Sequence, residues 1–221
     1  MIYTFQPVPY PVDPRWKVPS REECLHYLEL YNLPEHIIDH SVLVALVAGE
    51  ICTLALQKGM QVDAGAVQAS ALLHDVGKFY CVEHGGCHNQ LGASLAMELT
   101  GNPAIAQGVM HHVYWPGEVD IYRFFLPLVI IYSDKRVMHD RIVSLETRYS
   151  DIYTRYGINE RMQGLIRQSW QQTLHIQEQL NQSLEADLNA RTFNSRRVVQ
   201  GETGFPERGS TDQGSAEKFR A

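Results

Sequence analysis

Apolar positions recur at helical spacing in one segment of the chain after another, and the breaks between segments carry start and stop signals. Ser20-Arg-Glu-Glu23 has the Ser-x-x-Glu form of a capping box, and Leu25, Tyr27, Leu28, Leu30 and Tyr31 follow it as a short helix. Over residues 34 to about 58, Ile37, Ile38, Leu43, Val44, Val47, Ile51, Leu54 and Ala55 keep the helical period until Gly59 stops it. A third helix opens near Asp63 and ends at Leu73-His74-Asp75-Val76-Gly77-Lys78, where Gly77 reads as a C-terminal cap. A polar loop with His84, Gly85, Gly86 and His88 comes next, then a helix over residues 91 to 99 closed by Gly101. Asn102-Pro103 caps a fifth helix that runs to His111-His112. Residues 122 to 136 are strongly apolar, and Pro127 either kinks that helix or opens its main part. Helices over residues 143 to about 155 and 159 to about 188 complete the set, the last one amphipathic and rich in Gln. No alternating strand pattern competes, so the expected fold is all-α.

The two ends depart from this pattern. Residues 1 to 19 carry Pro7, Pro9, Pro11, Pro14 and Pro19 and predict an extended arm lying on the surface. From about residue 194 the chain is rich in Gly, Ser, Arg and Glu with few apolar side chains, and a disordered tail is expected there. The expected organisation is one helical domain over 20–158, a C-terminal helix over 159–193 packing on it, and the two ends.

Composition narrows the function classes. With 221 residues, 44% hydrophobic and 20% charged, the chain can bury one full core. A net charge of -6 with no long basic run argues against a duplex nucleic acid as partner. The N-terminus lacks a secretory pattern and no uninterrupted apolar run suggests a membrane span, so a cytoplasmic protein is expected. Cys24, Cys52, Cys81 and Cys87 form no Cys-x-x-Cys pair and are expected as reduced thiols rather than zinc ligands.

Candidate chemistry lies in an ordered series of residues at helix ends and on helix faces: His40, His74-Asp75, His88, His111-His112, Asp134. Imidazole and carboxylate together suit divalent ions such as Fe, Mn, Ni or Zn. Ala71-Leu-Leu-His-Asp-Val-Gly-Lys78 resembles the defining motif of the HD superfamily of metal-dependent phosphohydrolases, and the resemblance covers residues 35 to 150. His88-Asn-Gln-Leu-Gly-Ala93 is similar to the His-x-x-x-Gly-Ala of two branches of that family, one acting on dinucleoside tetraphosphates and one on cyclic-di-GMP. Ile130-Ile-Tyr-Ser-Asp-Lys-Arg136 resembles the apolar helix that delivers the family's last Asp.

The resemblance implies a helical HD domain holding two divalent metals. His40, His74 and Asp134 are expected on the first, His88 and His112 on the second, with Asp75 bridging. Neighbours on a helix point about 100° apart, so only one of His111 and His112 is expected to ligate, and the family pattern selects His112. Asp75 and Lys78 are the expected catalytic residues, with Lys78, His111 and Arg136 expected to touch a phosphorylated substrate. His36 borders Pro34 and reads as solvated, His139-Asp140 reads as a surface pair, and His84 is left open.

The activity expected is hydrolysis of a phosphoester or phosphoanhydride in a small nucleotide-like substrate by water activated between two cations. Val113-Tyr-Trp-Pro-Gly117 departs from the Gly-Tyr-Pro of the cyclic-di-GMP branch, and the doubled His and Gln-rich final helix depart from the tetraphosphatase branch. Two alternatives share the same ligands: an HD-fold di-iron oxygenase, and a non-catalytic sensor or interaction module drawing on the Gln-rich helix. Pairing of that helix with a second chain, giving a homodimer, is left open.

Overall fold

A computed structural model describes residues 7–193, so the expected disordered tail lies outside the described residues. The chain is all-α, with nine helices and one two-stranded ribbon among those residues. Helix α1 spans Arg21–Leu30, and its capping box is present: the Glu23 amide donates to Ser20 Oγ at 3.1 Å and the Ser20 amide to Glu23 Oε2 at 2.8 Å. Helix α2 spans Glu35–Gln57 and is the centre of the core. By length and composition it could cross a membrane, yet 67% of that stretch is buried inside the fold and its face carries His40. Packing against its neighbours accounts for that apolarity.

Helices α3 (Ala64–Leu73) and α7 (Phe125–Lys135) pack against α2, and α6 (Pro103–His111) packs in turn on α3 and α7. Asp63 and Asn102 cap α3 and α6 as expected, and Gly101 closes α5 (His88–Thr100) in the left-handed conformation at φ 59°. Pro127 falls in the first turn of α7, where a missing N–H costs nothing. The stretch read as a loop after Lys78 contains one more helix, α4 (Lys78–His84), and His88 opens α5 instead of lying in a loop. Strands β1 (Val137–Met138) and β2 (Arg141–Ile142) pair across a turn at His139.

Helices α8 (Leu145–Tyr156) and α9 (Glu160–Leu184) close one side. The glutamines of α9 have a clear use within the chain. Gln172 accepts from the Trp115 amide and donates to its carbonyl, both at 2.8 Å, and Gln179 donates to the Val119 carbonyl at 2.9 Å. They satisfy the backbone of the irregular segment between α6 and α7, which has no ladder of its own. Over residues 7–19 the proline-rich arm lies on the surface, held by Gln107 donating to the Val8 carbonyl at 2.9 Å. It covers a cavity of about 570 Å³. His40, His74, Asp75, His88, His112 and Asp134 are all absent from its lining, so that cavity stands apart from the expected metal chemistry.

Candidate metal centre

Four helices and one turn bring six polar side chains to one place in the core. His40 comes from the middle of α2, His74 and Asp75 from the turn after α3, His88 from the first residue of α5, His112 from the end of α6 and Asp134 from α7. Five of the six are buried, and His88 is half-buried. They form two groups that could each hold a cation: His40, His74 and Asp134; and Asp75, His88 and His112. Within each group the ligand atoms lie within 4.8 Å of one another.

Asp75 joins the groups. Its Oδ1 lies 3.5 Å from His88 Nε2 and 3.6 Å from His112 Nε2, while its Oδ2 lies 3.4 Å from His74 Nε2. Asp134 Oδ1 sits 3.0 Å from His40 Nε2 and 3.8 Å from His74 Nε2.

The tautomers fit a metal. His74 Nδ1 donates to the Ala71 carbonyl at 2.7 Å, and His112 Nδ1 donates to the Val109 carbonyl at 2.7 Å. A carbonyl only accepts, so each ring in its neutral form turns a bare Nε2 lone pair toward the carboxylates. His74 Nε2 is buried and has no hydrogen-bond partner. His112 Nε2 faces His88 Nε2 at 3.1 Å. Buried lone pairs directed at one another are costly unless a cation lies between them.

Charge balance points the same way. Burial pushes the His112 pKa down to about 3, with His74 beside it adding to the effect, so that ring is neutral at ordinary pH. Burial likewise lowers the pKa of His40 and of His88. Burial would raise the Asp75 carboxyl, but His74 and Lys78 outweigh it and hold Asp75 well below the usual carboxylate range. For Asp134, burial is outweighed by Lys135 and His40 in the same direction. His74 is the exception, because burial is outweighed there by Asp75 and Asp134 and its pKa is raised, so a cation would displace a proton from that ring. The other imidazoles and both carboxylates already hold the states that a divalent cation needs.

Close helix packing makes this arrangement possible, and it gives a physical meaning to two glycines. A Cβ at Gly77 would meet the His88 carbonyl oxygen at 2.7 Å and the Gly92 nitrogen at 2.8 Å. Gly77, expected as a C-terminal cap, instead precedes α4 at φ -86°, and glycine is required there by backbone approach. Gly92, one turn after His88, lies against Val109 and Gly77, which explains the spacing of His88-x-x-x-Gly92. Asn89, which the sequence did not single out, donates to the Met110 carbonyl at 2.7 Å and ties the start of α5 to the end of α6.

Other expected site residues fall as follows. Lys78 reaches back from α4, its Nζ 2.6 Å from Asp75 Oδ2, with the side chain 39% exposed at the rim. His111 turns its ring edge-on to Trp115 at 5.3 Å and is not in either group. Arg136 requires a correction. It is buried, with Nε donating to the Val143 carbonyl at 2.7 Å and Nη1 donating to Tyr132 Oη at 2.7 Å and to the Leu188 carbonyl. Its guanidinium fastens residues after α9 to the core and is not presented to a substrate. His36 is exposed, and His139-Asp140 lies on the surface with His139 Nε2 2.6 Å from Arg155 Nη2. His84 lies tilted against Tyr80 on an exposed face of α4.

Lys135, which sequence pattern did not mark, is buried and ion-paired to Asp134 Oδ2 at 2.5 Å. One signal for it existed. Helix α7 is apolar nearly all round, and such a helix is buried, so a lysine at its end must find an anion inside the fold.

A model of the HD domain matches residues 37–152, which is more than half of the chain. Two curated proteins named ribonuclease Y, from two strains of Thermus thermophilus, are each 31% identical to it over 88 residues. Those residues are 40% of this chain and 14% of each relative, so the chain spans only a small part of the proteins it resembles. No solved structure gives a significant match. The family match agrees with the helical fold and with the histidines and aspartates gathered at its centre: the chain belongs to the HD domain family, a superfamily of metal-dependent phosphohydrolases.

Proposed function

We propose that this chain hydrolyses a phosphoester or phosphoanhydride bond in a nucleotide-like substrate, using two divalent ions of Fe, Mn, Ni or Zn. The observation that carries this reading is Asp75, whose two oxygens face two different groups of imidazoles. His40, His74 and Asp134 would hold one ion, His88 and His112 the other, with Asp75 shared. Two cations bound there supply Lewis-acid chemistry, lowering the pKa of water toward neutrality and neutralising phosphoryl charge.

The chain's own residues do the rest. The carbonyls of Ala71 and Val109 fix the tautomers of His74 and His112, so no ring must turn before binding. Lys78 stands at the rim and stays charged: burial opposes its protonation, and Asp75 outweighs that burial. A phosphoryl oxygen arriving at the rim competes with Asp75 for that ammonium, which orients the substrate. Gln172 and Gln179 of α9 are occupied within the chain, which weakens the support for an interaction module.

The test is a substrate screen on protein stripped of metal and reloaded separately with Fe, Mn, Ni and Zn. Nucleotides, dinucleoside polyphosphates and bis(p-nitrophenyl) phosphate form the panel, and the likeness to ribonuclease Y adds an RNA oligonucleotide. Metal-dependent release of phosphate or of a phosphomonoester is expected. No product from any metal form, with oxygen uptake in an iron-loaded sample, would replace the hydrolase with the oxygenase.

A further inference from the structure

Asp134 has two carboxylate oxygens, and they have different surroundings. Oδ1 faces His40 Nε2 at 3.0 Å and His74 Nε2 at 3.8 Å. Oδ2 is taken by the Lys135 ammonium at 2.5 Å, and both side chains are 8% exposed. Neighbouring residues on a helix diverge by about 100°, so this contact requires the lysine chain to fold back along its own helix. Little solvent reaches the pair to compete for either partner. The other carboxylate of the centre, Asp75, differs: both of its oxygens face imidazoles, and its lysine sits at the exposed rim.

We infer that Lys135 is a positioning residue that covers Asp134 Oδ2 and limits this carboxylate to one donor oxygen toward a cation held with His40 and His74. This deepens the proposed function and rests on that group holding a metal. A carboxylate free to offer both oxygens takes an extra coordination position, and a catalytic ion needs a position open for water or substrate. The buried ammonium also places a positive charge next to the ion, which weakens binding. Lys135 therefore trades affinity at this site for an open position.

Lys135→Met, titrated with Mn2+ by calorimetry, tests the inference. The expected result is Mn2+ binding tighter by about tenfold at one of two sites, because the variant removes a positive charge beside the ion and frees a carboxylate oxygen. Turnover of whichever substrate the screen identifies should fall in kcat with KM little changed, and Lys135→Arg should restore wild-type behaviour in both measurements. Mn2+ binding that is unchanged or weaker in Lys135→Met would overturn the inference and leave Lys135 a packing partner. Should Lys135→Met fail to fold, Lys135→Gln, which is uncharged, takes its place with the same expected direction. The titration needs no substrate, so a wild-type protein without phosphohydrolase activity would sink the hydrolase reading while leaving this result interpretable.

Discussion

The two halves of the centre are built differently. His40 and Asp134 stand on α2 and α7, helices enclosed by the core, and with His74 they form a group buried on every side. His88 and His112 stand at the start of α5 and the end of α6, and His88 keeps 32% of its side chain exposed. The first half rests on hydrophobic packing of α2 against its neighbours, and the second on the close packing of α5 along α6, where Gly92 lies against Val109 and Asn89 bonds the Met110 carbonyl. An active site needs both: a fixed reference and an accessible face where substrate exchanges.

Asp75 belongs to both halves, so its removal breaks the comparison altogether. Asp75→Ala should lower turnover by more than about 100-fold and remove tight binding of both metals, because neither imidazole group retains its shared anion. Metal content per chain after gel filtration and steady-state rates check this. Two metals still bound to the variant would show that the halves do not share a ligand.

The second contrast separates chemistry from stability. His40→Ala leaves Asp134 buried with Lys135 and the more distant His74 and opens a hole in the core, which should cost about 3 kcal/mol of unfolding free energy. His88→Ala removes a half-exposed ring and should cost less than about 1 kcal/mol while abolishing activity equally. Urea unfolding of the metal-free proteins measures both. Equal destabilisation would mean that the second half is as rigid as the first.

Much of the first half was legible in the sequence, because a histidine or aspartate inside a strongly apolar helical run such as that around His40 or Asp134 has to be accommodated in the core. The adjacent pair His74-Asp75 was legible for the same reason, following Ala71-Leu72-Leu73. What pattern could not show was where long side chains end. Arg136 and Lys135 are neighbours of one metal candidate, yet one turns to the carbonyls after α9 and the other to Asp134. Gly77 misled in another way: a glycine after a helix is most often a left-handed cap, and only the placement of α5 reveals that it clears a path for backbone. The glutamines of α9 read as a surface for a partner until the irregular segment they bind was in place.

Titration sharpens the contrast, since His74 and His112 respond oppositely to acid in the metal-free protein. Burial lowers the His112 pKa to about 3 from an ordinary 6.5, so below 6.5 the unfolded chain binds a proton that the folded one refuses. Its contribution to stability is therefore lost as pH falls from 6.5 toward 3. His74 is raised: burial opposes protonation, but Asp75 outweighs it, so its contribution is full below 6.5 and lost as pH rises through the folded value. Comparing each with its Gln variant isolates the two effects. Between about pH 6.5 and 5 the stability advantage of wild type over His112→Gln should shrink by about 2 kcal/mol. Over His74→Gln the advantage should not shrink. Parallel slopes would place both rings in the same electrostatic environment.

The smallest change aims at the open half alone. Gly77→Ala adds one methyl carbon against the His88 carbonyl and the Gly92 nitrogen, which are backbone atoms and move only if α5 moves. The strain should cost about 1.5 kcal/mol, within the usual range for overpacking. Its larger consequence is geometric. Displacing α5 carries His88 away from Asp75 Oδ1, now 3.5 Å away, while His40, His74 and Asp134 lie on elements that α5 does not carry. If the proposed two-metal reading holds, Gly77→Ala should bind one Mn2+ where the wild type is expected to bind two, with the retained ion held at unchanged affinity. Loss of both ions together would show that the closed half depends on the open one, and that the centre is set as a single unit.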